Sequence, residues 1–108
     1  VTVDLKLRDG RVTDFGQTVK ACLLGQASAS VVGREIVGST PEELHAVAET
    51  MRRMLKENGA PPTGRWCDLA VLEPVRAVKG RHASTLLVFD AVERAIAEIA
   101  ARASAQPV

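Results

Sequence analysis

VTVDLKLRDGRVTDF (Val1–Phe15) decides the fold, because two strands and the turn joining them are legible within it. Val1, Val3, Leu5 and Leu7 alternate with Thr2, Asp4 and Lys6, the period-2 pattern of a strand with one face on a core. Asp9-Gly10 supplies two residues that tolerate positive φ, as both central positions of a type I′ turn require. A second strand is expected from Arg11 to about Lys20. Its alternation breaks because Val12 and Phe15 fall on opposite parities, and Gly16 lies beside the break, so a bulge or strong twist is expected there. The first two elements therefore read as an antiparallel hairpin.

Beyond the hairpin the periodicity changes to that of helices. GQASAS and the residues after it, from Gly25 to about Ile36, read as a helix whose small first half can approach its neighbours closely. STPEEL (Ser39–Leu44) places Thr40 as N-cap, Pro41 at the first helical position and Glu43 at the third, a capping box. Leu44, Val47, Ala48, Met51, Met54 and Leu55 form the apolar stripe of that helix, and NGAPPTG from Asn58 ends it. Asp68 to Val75 is read as a short helix stopping at Pro74, followed by a basic connector with Arg76, Lys79, Arg81 and His82. Thr85, Val88, Phe89, Val92, Ile96 and Ile99 then predict a last helix from about Ser84 to Ala101, and the tail SAQPV is assigned no packing role. A hairpin followed by helices predicts an α+β fold, a small antiparallel sheet packed against several helices, in one domain over residues 1–108. Leu5, Phe15, Met51 and Phe89 are expected in one shared core.

Composition limits what such a domain can do. With 108 residues, 46% hydrophobic and 25% charged, the chain can bury a core of its own. Only 3% of the residues are aromatic, which argues against a stacking platform for single-stranded nucleic acid, and a net charge of +1 marks out no polyanionic partner. No apolar run approaches the ~20 residues needed to cross a bilayer, and no basic start with a cleavable apolar segment precedes the first strand. Two cysteines 45 positions apart form neither a disulfide framework nor a CxxC pair. A reducing, cytoplasmic setting and a monomer or weak homodimer are expected.

Few residues offer chemistry. Cys22 lies at the junction of the second strand and the small-residue helix, where free N–H groups and the helix dipole favour a thiolate; a buried structural thiol is the alternative. Cys67, after Trp66 at the head of an apolar segment, is read as structural. His82 precedes the final helix and reads as a surface or capping residue or a ligand, while His45 lies on the polar side of the capped helix. Asp90 and Glu93 read as a solvated face. No HExxH, GxSxG, phosphate-binding glycine loop or EF-hand spacing occurs. A zinc site wants four ligands, or three and water, and the pattern alone assembles no such set.

The residues resemble the scaffold family for iron–sulfur cluster assembly, the NifU N-terminal, IscU and SufU group, over almost the whole chain. VTVDLKLRDGRVTDF resembles the family's opening hairpin, which implies a Cys-Gly-Asp segment a few residues before Val1. KACLLGQASAS (Lys20–Ser30) resembles its second segment, with Cys22 on the family cysteine and Ala21 at the usual glycine. GRHASTLLVFDAVERAI (Gly80–Ile96) resembles its third segment, with Arg81 on the family arginine and Ser84 where the third cysteine is expected. Ala83 holds the place of the histidine found in some branches, and a shift at the helix start would bring His82 inward. The resemblance implies a non-enzymatic scaffold or carrier that binds iron and sulfide as a [2Fe–2S] cluster, or zinc, through Cys22, with His82 and Ser84 beside it. Its implied partners are a cysteine desulfurase and Fe–S acceptor proteins, with Arg76, Lys79 and Arg81 as a docking edge. The alternative is an adaptor that keeps a docking surface and has lost metal chemistry.

Overall fold

The structure, a computed structural model, describes residues 1–105; the tail reading of SAQPV lies partly outside them. Strand β1 (Thr2–Arg8) pairs antiparallel with β2 (Arg11–Thr18), and the turn takes φ of 53° at Asp9 and 77° at Gly10, as a type I′ turn requires. The bulge lies earlier than expected. Lys6 pairs with Asp14 and Leu7 with Val12, so Thr13 is the extra residue, whereas Gly16 pairs normally with Asp4. With Thr13 taken out of register, Val12 (1% exposed) and Phe15 both turn toward the core.

Helix α1 (Leu23–Glu35) begins two residues before its expected start, with Cys22 as N-cap. Helix α2 (Pro41–Lys56) begins as read: the Glu43 N–H donates to Thr40 Oγ1 at 3.1 Å. Beyond its last residue, Lys56, Asn58 takes φ of 53°, the left-handed conformation that closes a helix, and the Gly59 N–H donates to the Arg53 carbonyl.

The segment read as a short helix is a longer run of 3₁₀ turns, Gly64–Ala77, with Pro74 inside it. Its buried residues Trp66, Leu69, Leu72 and Val75 recur every three positions, the period at which 3₁₀ side chains eclipse. Arg65 fastens this segment to the rest: its guanidinium donates to the Glu35 carbonyl at 2.6 Å and to Ser39 Oγ, and pairs with Glu43 at 3.2 Å. A short turn, Lys79–Arg81, leads directly into α3 (His82–Ala105), which starts two residues before its expected first residue.

Helix α3 lies at the centre, against α1, α2 and β1, and the 3₁₀ segment packs on α1 and α2. Met51 and Phe89 belong to one continuous buried cluster, and Leu5 and Phe15 pack against its edge, so the four expected core residues share one core. The hairpin is tied to the α1–α2 connection: the Val12 N–H donates to the Ser39 carbonyl at 2.9 Å and the Gly38 N–H to the Val12 carbonyl at 2.8 Å. No helix among the described residues is long and apolar enough to cross a membrane.

Candidate functional site

Cys22, four residues past the end of β2, is extended, φ −66° and ψ 173°, and stands at the open first turn of α1. The N–H groups of such a turn have no partners within the helix. The thiol makes no full capping hydrogen bond, yet the Gly25 N–H holds its pKa below the ordinary thiol value. Partial burial opposes that shift, while the Leu24 N–H, the Ser84 hydroxyl and the Arg81 charge reinforce it. Cys22 is partly exposed and free, so a soft nucleophile or ligand faces solvent here.

Ser84 reaches Cys22 because α1 and α3 come close at this point. A Cβ added to Gly25 would stand 2.9 Å from the Ser84 carbonyl oxygen, and Gly25, Ser28 and Ala29 are all buried. The small residues of α1 thus serve the close approach read from the sequence.

His82 is 8% exposed, and its Nε2 lies 3.0 Å from the Val75 carbonyl and 3.2 Å from the Arg76 carbonyl. Both neighbours only accept, so Nε2 carries the proton, and Nδ1 is the nitrogen left to act as a base or ligand. The donors brought together at Cys22 are its own thiol and the Ser84 hydroxyl, while His82 is turned to the Val75 and Arg76 carbonyls. Such a set does not fit a [2Fe–2S] cluster, which takes four soft ligands.

The basic connector divides. Arg76 and Lys79 join Lys56 and His82 around a groove of about 640 Å³ at the C-terminal end of α2, while Arg81 lies close enough to Cys22 for its charge to be felt there. Lys79 and Arg81 are exposed and make no ion pair among the described residues; Arg76 pairs with Glu73 at 3.6 Å.

Cys67 is exposed, contrary to its reading as a structural thiol of the apolar segment. The threefold repeat of the 3₁₀ turns points Trp66 and Leu69 inward and leaves Cys67 outside. Asp90 and Glu93 also differ from a plain solvated face. Arg52 of α2 donates to Asp90 Oδ1 at 2.8 Å, Glu93 Oε2 at 2.9 Å and Glu49 Oε1 at 2.7 Å, and His45 Nδ1 lies 2.9 Å from Glu93 Oε1. The i,i+4 spacing of His45 and Glu49 was the visible signal; the third member comes from another helix.

Neither a protein-family model nor a curated protein matches the chain. Among solved structures, the crystal structure of a nitrogen-fixing NifU-like protein (N-terminal) from Brucella abortus is similar to it. The two are 59% identical, with a TM-score of 0.88, over 90% of this chain and 67% of that one.

Proposed function

The chain belongs to the NifU-like N-terminal family, and from that premise we propose that it is a docking adaptor of iron–sulfur cluster assembly. It is a scaffold-type protein and not an enzyme. It presents one activated thiol, Cys22, and the basic residues Arg76, Lys79 and Arg81 to a cysteine desulfurase or an Fe–S acceptor protein. The observation that carries this reading is Ser84 beside Cys22. A hydroxyl occupies the position at which a second soft ligand would be needed, and a neutral hydroxyl replaces thiolate poorly on iron or zinc. Exposed Leu23 (79%) next to Cys22 adds an apolar contact to the basic edge, the pairing of anchor and charge that protein partners use.

Anaerobic reconstitution of the chain with iron and sulfide, together with a binding measurement against a cysteine desulfurase, tests this. The adaptor reading expects no stoichiometric oxygen-labile cluster, and desulfurase binding that weakens at least about tenfold in Lys79→Glu/Arg81→Glu. A stoichiometric cluster that is lost in Cys22→Ala would overturn it.

The lowered pKa of Cys22 favours a second reading, a cluster or zinc carrier, since the thiolate is the form that ligates metal. On that reading Ser84→Cys raises iron or zinc occupancy, and so does a chain extended upstream to include a Cys-Gly-Asp segment.

A further inference from the structure

On the seam between α2 and α3, away from Cys22, three side chains converge that the adaptor reading does not use. We propose that His45, Glu49 and Glu93 form a binding site for one divalent transition ion of the zinc, cobalt, nickel and copper group. One ligand atom from each of the three lies within 4.8 Å of the other two. His45 Nδ1 and Glu93 Oε1 are 2.9 Å apart, and two ligands held by one ion at about 2.1 Å in a tetrahedral site stand about 3.4 Å apart, so a small opening of this contact admits the ion. His45 and Glu49 are one helical turn apart on α2, so both project from one face, and Glu93 closes the site from α3. Glu93 is nine residues beyond Ser84, or about 13 Å along the helix.

Charge supports a cation. Glu49, Asp90 and Glu93 gather around the single guanidinium of Arg52 and together leave two net negative charges. Arg52 takes only Oε1 of Glu49 and Oε2 of Glu93, which leaves Glu49 Oε2 clear of it and Glu93 Oε1 turned to His45. A carboxylate held through one oxygen by a hydrogen bond and offering the other is the usual arrangement behind a metal ligand. His45 is 67% exposed in its side chain, so water can reach the fourth position. One imidazole and two carboxylates suit the zinc group. With no thiolate present they do not suit an iron–sulfur cluster, which keeps this site chemically separate from the Cys22 junction.

The test uses untagged protein carrying Cys22→Ala and Cys67→Ala, so that no thiol competes, titrated with Zn²⁺ by calorimetry and with Co²⁺ by visible absorption. One ion per chain is expected, with affinity falling at least about tenfold in His45→Ala and in Glu93→Gln. Circular dichroism of each variant shows that the fold is kept, and His45→Gln, which retains the polar surface, must fall in the same way. No uptake of either ion at millimolar concentration overturns the site, as does uptake that any one of these variants leaves within about threefold of its parent. Because the probes are bare ions and the thiols are absent, failure here leaves the desulfurase-binding reading standing, and success does not establish it.

Discussion

Gly25 of α1 lies so close to Ser84 of α3 that a Cβ on the glycine would stand 2.9 Å from the Ser84 carbonyl oxygen and 2.7 Å from the Ala21 Cβ. The Cys22 junction exists at its observed size because that position has no side chain. Its φ is ordinary for a helix, so space alone holds the glycine there.

Gly25→Ala is expected to lower stability by about 1–2 kcal/mol, because overpacking against backbone costs about 1–3 kcal/mol and the gain in helix propensity returns up to about 1. Urea denaturation measures this. An increase in midpoint would mean that α1 and α3 can separate without loss.

Alkylation of Cys22 should rise with pH at lower pH than alkylation of a small free thiol, since the thiolate reacts and the fold holds the pKa down. Ser84→Ala removes a group that favours the thiolate and should move the inflection upward. Measured in denaturant, the inflection should return to that of the free thiol. An inflection in the native protein at or above the free-thiol value would contradict the assigned cause.

Thr40→Ala removes the acceptor for the Glu43 N–H and should cost about 1 kcal/mol, with Thr40→Ser nearly neutral. Equal losses in the two variants would show that the methyl group and not the hydroxyl matters.

His82→Ala removes the imidazole donor from the Arg76 carbonyl and one of two donors from the Val75 carbonyl, which keeps the Val78 N–H, and should destabilise by about 1–3 kcal/mol. Thermal unfolding of the variant measures this, and an unchanged midpoint would show that water serves these carbonyls as well as the imidazole does.

Arg52→Met should cost about 1–2 kcal/mol, because exposed pairs contribute up to about 1 kcal/mol each and three carboxylates lose one shared partner. The loss should shrink in 1 M salt, where the remaining carboxylates are screened from one another over about 3 Å. A salt-independent loss would identify the packing of the Arg52 stem as the cause.

What could be read from sequence was local. The Asp9-Gly10 turn and the Thr40 cap are decided by residues within four positions of each other, and both formed as expected. The parity of Val12 and Phe15 announced a bulge but not its place; the chain set Thr13 aside and kept Gly16 in the ladder. Pro74 misled because its ring stops an α-helix by meeting the carbonyl four residues back, whereas a run of 3₁₀ turns bonds to the carbonyl three residues back and gives up only the one bond that Pro74 cannot donate. Cys67 was misplaced by the same error of period. Ser84 beside Cys22 was expected from resemblance alone, since no rule of spacing brings the start of the last helix to the start of the first. The gathering of Arg52 with Glu49, Asp90 and Glu93 depends on which faces of α2 and α3 meet, and each helix taken singly shows only a polar side.

The two backbone bonds between Val12 and the α1–α2 connection, together with Gln17 Nε2 donating to the Ala29 carbonyl at 2.9 Å, fasten β2 to the helices at two places. A two-stranded ribbon in water is barely stable alone. Here amide exchange at Val12 and Gly38 should wait for the core to open, while the exposed turn at Asp9 and Gly10 can exchange by local opening. The ribbon therefore behaves as a flap stitched along β2, and a protease should gain its first foothold at the exposed turn, Arg8 to Arg11.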